Sequence, residues 1–155
     1  LRQYKKADSK DRIYQFYVAN FRNINNWDLV DVSAKNITGH YLFYTDPDER
    51  IQILRDWAVS EHLWTRRIAV LSCFYFISKE EFSEALTIAA ILQQDTHDLI
   101  HKAVGWMLRE IGNKDQAIEE NFLREHYKRM PRTMLRYAIE KFDEELRQKY
   151  LRSLI

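Results

Sequence analysis

The chain has 155 residues, enough for one domain with a substantial core. Hydrophobic residues make up 46% and charged residues 30%, which excludes a disordered chain, and no run of about 18 apolar residues offers a membrane span. A net charge of +1 excludes bulk attraction to a polyanion, and three glycines with two prolines leave little scope for strands joined by tight hairpins.

Nearly every segment carries apolar residues at the helical period, so the expected fold is all-α. Ile13, Phe16, Tyr17 and Phe21 predict a first helix ending before Asn23. Trp27 to Ile37 reads as a second, closed by Gly39. Pro47 opens a third in the favoured first turn, with Asp48 and Glu49 at its positive end and Ile51, Leu54, Trp57 and Ala58 on its buried face. A fourth runs from about His62 to Ile77 and is apolar on most sides, as a helix between two layers would be. Cys73 within it reads as a buried, inert thiol, which fits a reducing, cytoplasmic setting.

The next helix starts near Glu80, with Phe82, Leu86, Ala89, Ile91 and Leu92 inward. Asp95 or Thr96 can cap the one that follows, which carries Leu99, Ala103, Trp106, Met107 and Leu108 and stops at Gly112. Segments 115–127, 131–142 and 143–151 complete the helices. Short connections predict antiparallel neighbours in one domain over residues 1–155. The start at Leu1 and the polar stretch to Lys10 carry the further expectation that N-terminal repeats of a longer protein are lacking.

Two patterns carry chemistry. Trp27 and Asp31 are four apart on one helix face, an indole beside a carboxylate, and such pairs suit cationic ligands. Three later segments place a basic residue before small and apolar helix-formers: Arg67-Ile68-Ala69, Lys102-Ala103-Val104 and Arg136-Tyr137-Ala138, at intervals of 35 and 34 residues. A near-constant interval of this size marks stacked helical pairs, in which equivalent positions line one wall. Asp31, Arg67, Lys102 and Arg136 would form that row, with Trp27, Trp64 and Trp106 within a turn of it. Residues 101–155 hold 12 basic and 9 acidic side chains, and Arg124, Lys128, Arg129, Arg132 and Arg136 cluster against the single acid Glu125. Such a cluster can meet phosphates or can simply be a solvated surface. Taken singly, each tryptophan could be core packing, and Asp31 and Arg67 could pair with each other. His97 and His101 are spaced like zinc ligands but lack a third, and no phosphate loop or nucleophile motif occurs, so no metal or cofactor is expected.

Four segments together resemble the AlkD-like DNA alkylation repair family of HEAT-like repeat DNA glycosylases. They are Asn26-Trp27-Asp28-Leu29-Val30-Asp31, Leu63-Trp64-Thr65-Arg66-Arg67-Ile68-Ala69, 100–110 and 130–139. The resemblance implies a right-handed α-α superhelix, a HEAT-like solenoid with a concave basic groove. It implies excision of cationic N3- and N7-alkylated purines from double-stranded DNA without turning the base out, by a protein acting as a monomer, away from membranes and without a cofactor. It puts the essential acid on Asp31, the active-site tryptophans on Trp27 and Trp106, and the backbone-contacting arginine on Arg67. Arg66, Lys102, Arg132 and Arg136 are expected to bind DNA. The alternative is a non-catalytic HEAT-like scaffold that binds DNA or protein through the same wall.

Overall fold

The computed structural model describes Tyr4 and residues 10–155, and no strand occurs among them. Helix α1 (Lys10–Ala19) leads through a short 3-10 turn (Phe21–Asn23) to α2. Helix α2 begins as Trp27–Ser33, passes through a π turn at Lys35–Gly39 and continues as His40–Phe43. Then follow α3 (Pro47–Ala58), α4 (Leu63–Ile77), α5 (Ser83–Leu92), α6 (Asp98–Gly112), α7 (Gln116–His126), α8 (Arg132–Ala138) and α9 (Glu144–Leu151). The helices α2, α4, α6 and α8 pack on one another in that order, and α3 and α5 pack together behind α4.

Local chemistry fixes the helix starts. Asn26, Asp46, Asp115 and Asp143 each accept a backbone N–H of the turn that follows, and Pro47 stands at the first position of α3. Helix α4 is buried from Arg67 to Phe74 and again at Phe76 and Ile77, so its sides serve as core for α2, α3, α5 and α6. Behind it, Arg50 of α3 donates from Nε to Glu84 at 2.8 Å and from Nη2 to Glu81 at 2.9 Å, tying α3 to α5.

Several expectations need correction. Gly39 does not close the second helix: its φ of −61° is helical, and the chain runs on to Phe43. Glycine is needed there for contact, because a Cβ would stand 2.3 Å from the carbonyl oxygen of Ser72 on α4. Beside it the Thr38 and Ser72 hydroxyls bond at 2.7 Å. Gly105 does the same between α6 and α8, where a Cβ would meet the Met134 carbonyl oxygen at 2.4 Å. Phe16, expected on an inner face, is 70% exposed. The fifth helix starts at Ser83 because Glu80 takes a left-handed φ of 61°, which ends the preceding helix. His97 is the N-cap of α6, its ring nitrogen accepting from Leu99 N, while Asp95 supports His97 from outside. The segment expected as one helix over 131–142 is α8 followed by a 3-10 turn at Ile139–Lys141. Cys73 is buried as expected, and burial pushes its thiol up.

No helix among the described residues is long and apolar enough to cross a membrane. One buried acid stands out in the core. Glu119 of α7 is 1% exposed and packs over Gly112, and its Oε1 has no hydrogen-bond partner among the described residues. Burial, with Glu120 nearby, pushes its carboxyl from 4.5 up to about 9. The folded chain therefore keeps a proton that the unfolded chain releases. The contribution of this one group to stability is fully present below pH 4.5 and is lost as pH rises towards 9. Glu119→Gln, which cannot ionise, is expected to raise stability at pH 8 by about 1–3 kcal/mol and to flatten that fall. Urea unfolding at pH 5 and pH 8 measures both, and an unchanged pH slope would contradict the assignment.

Candidate functional site

Trp27 is the first residue of α2, released from the preceding chain by the Asn26 cap, whose side chain accepts Asp28 N at 3.0 Å. That start leaves Trp27 half exposed and sets Asp31 one turn further along the same face. Arg67 rises from the middle of buried α4 directly opposite. Its Nε donates to Asp31 Oδ1 at 2.9 Å and its Nη2 to Oδ2 at 2.7 Å, a two-bond fork. Its Nη1 donates to the Leu99 carbonyl oxygen at 2.6 Å, in the first turn of α6. One guanidinium thus joins α2, α4 and α6.

A hollow of about 230 Å³ opens over this junction, lined by Trp27, Asp31, Arg67, Leu99, Lys102, Trp106, Arg109 and Tyr137. On α6 the residues Lys102, Trp106 and Arg109 fall at i, i+4 and i+7, a single stripe facing it. The Trp106 ring lies edge-on to Phe74 of α4, centroids 4.6 Å apart, and its Nε1–H donates to Glu110 Oε1 at 3.1 Å. The cations of this wall carry their own acids. Lys102 bonds Asp98 at 2.7 Å, and Arg109 pairs with Glu140 from the turn after α8. Mutual attraction lowers the Asp98 carboxyl and raises the Lys102 amine. The Asp31 side chain is 20% exposed against 7% for Arg67, so the acid shows more of itself to the hollow than its partner does.

The structure therefore brings Trp27, Asp31, Arg67, Lys102 and Trp106 into one concavity. It turns the other expected residues elsewhere. Arg66 donates to Asp95 at 2.7 Å and to the Ser60 and Glu61 carbonyls, because the residue just before Arg67 on a helix is about 100° away. Arg132 is bound to the Leu151 carbonyl at 2.9 Å, Arg136 is exposed outside the hollow, and Trp64 packs against the core. Leu99, Arg109 and Tyr137 line the hollow without having been singled out. Arg109 was findable as the next member of the Lys102–Trp106 stripe. Tyr137 lies one residue from the position that the 34-residue interval selects, within the slack of that interval.

A family model described as DNA alkylation repair enzyme matches residues 1–142. No curated protein and no solved structure matches the chain.

Removing the guanidinium would strand a part-buried carboxylate and leave a gap between three helices. Arg67→Ala is expected to cost about 2–4 kcal/mol, less than for a wholly buried pair because Asp31 reaches solvent. Arg67→Ala combined with Asp31→Ala should cost less than the two singles added together. Chemical unfolding of the four proteins checks this, and strictly additive losses would refute the coupling.

Proposed function

The chain belongs to the DNA alkylation repair enzyme family, and on that footing we propose that it is a DNA glycosylase releasing cationic N3- and N7-alkylated purines from duplex DNA. The observation that carries this reading is a single acid, Asp31, sharing one hollow with Trp27, Trp106 and the basic side chains Arg67, Lys102 and Arg109. The stacked helices are read as a right-handed HEAT-like solenoid whose inner helices α2, α4, α6 and α8 face the duplex. The hollow's volume of about 230 Å³ lies below the roughly 300 Å³ at which pockets hold drug-sized ligands. It has room for one sugar ring, and in this reading the base stays stacked.

In this mechanism the C1′–N9 bond breaks with its electron pair moving to the alkylated purine, which leaves as a neutral base. The deoxyribose is left as an oxocarbenium ion. Asp31, kept in register by the Arg67 fork, stabilises that charge, and the faces of Trp27 and Trp106 add to it. Water adds to C1′ and loses its proton to the carboxylate or to solvent, giving an abasic site. Arg67 has three of its five N–H bonds committed to Asp31 and Leu99, so its first role is to hold the acid. Phosphates flanking the lesion are met by Lys102 and Arg109, whose part-exposed acid partners Asp98 and Glu140 are displaceable at little cost.

The closed Asp31–Arg67 pair favours a second reading, a helical scaffold that binds DNA and uses this ion pair only as a joint. Release of 7-methylguanine from methylated duplex separates the two. Asp31→Asn is expected to lower the release rate about 10²–10³-fold, by analogy with removal of a preorganised charge, with duplex affinity kept or raised. Wild-type release rates in that variant would leave the scaffold standing.

A further inference from the structure

We propose that Glu110 is a positioning residue for the proposed glycosylase reaction, holding Trp106 at the angle from which its ring faces the deoxyribose. The inference rests on the glycosylase reading for its effect on rate, but its structural half stands alone. A partly buried indole needs a partner for its N–H, and the carboxylate one turn along α6 supplies it at 3.1 Å. A carboxyl oxygen one turn along the helix is also within reach without strain, since residues four apart share a face. Phe74, meeting the ring edge-on at 4.6 Å from α4, blocks rotation on the other side. Trp106 is therefore fixed from two helices, whereas Trp27 is 51% exposed and its indole has no hydrogen-bond partner among the described residues.

This makes the two aromatic walls unequal. Trp27 can swing to admit a sugar, and Trp106 is the fixed surface against which it settles. The carboxylate does a second thing. Drawing on the indole proton shifts electron density into the ring, and a ring richer in electrons attracts a cation more strongly. Glu110 thus acts on the oxocarbenium ion through Trp106 without touching it.

The test is a double-mutant cycle with an independent spectroscopic arm. Glu110→Ala is expected to lower the single-turnover rate of 7-methylguanine release about fivefold to tenfold while KM changes less than about twofold. Glu110→Gln, which keeps an oxygen acceptor, should recover most of the rate. In a Trp106→Phe background, which has no indole N–H, Glu110→Ala should have no further effect. The Trp106 indole N–H resonance should move upfield and exchange faster with solvent in Glu110→Ala, and return in Glu110→Gln. An unmoved resonance, an equal loss in the Trp106→Phe background, or an effect confined to KM would overturn the proposal. If the wild-type protein releases no alkylpurine, the glycosylase reading fails by itself and the indole resonance still decides whether Glu110 positions Trp106.

Discussion

The structure turns on the placement of one guanidinium. Arg67 sits in a helix whose buried residues are mostly apolar, and a lone cation there would be too costly to keep. It is tolerated because all three of its nitrogens find acceptors, two on the Asp31 carboxylate and one on the Leu99 carbonyl. Those acceptors lie on the helices to either side, so satisfying the charge also sets the spacing of α2, α4 and α6. The same bonds hold the acid at the floor of the hollow. Fold and site are consequences of one requirement.

The chemistry available at that floor is narrow. An anion gripped by an arginine and flanked by indoles can favour a positive centre but has no activated nucleophile to offer. In the proposed reading it assists departures that are already close to happening, such as that of a cationic base. The family match names alkylation repair, and the hollow gathers one carboxyl group, two indoles and three basic side chains. The neighbouring cations are closed by Asp98 and Glu140, so approach of a polyanion involves exchange of partners at the rim rather than filling of a bare positive trough.

Much of this was legible in the sequence, for identifiable reasons. The helical period and Pro47 are local signals, and α3, α4 and α7 begin within a residue or so of where they point. The interval of about 35 residues brought Arg67 and Lys102 to one wall, since equivalent positions of stacked units do align. What escaped was whatever depends on distance in space. Nothing in the chain announces that Gly39 is a contact point instead of a terminator, because both uses ask for the same residue. Arg66 and Arg67 are chemically alike, and only the helix phase sends one to the hollow and the other to Asp95. The one-residue slip between Arg136 and Tyr137 has the same origin: a repeat read from letters locates a turn of helix, not a side of it.

The π turn within α2 places one extra residue in the ladder, with Gly39 N reaching back to the Ala34 carbonyl at 2.8 Å. Each residue added to or removed from a helix rotates everything beyond it by about 100°. The rear of α2 is anchored by its tight seat on Ser72, so the wider ring acts as a phase adjuster that aims the front. A regular α-turn at this point would present a different face at the mouth. The wider ring is therefore part of what turns Asp31 towards Arg67.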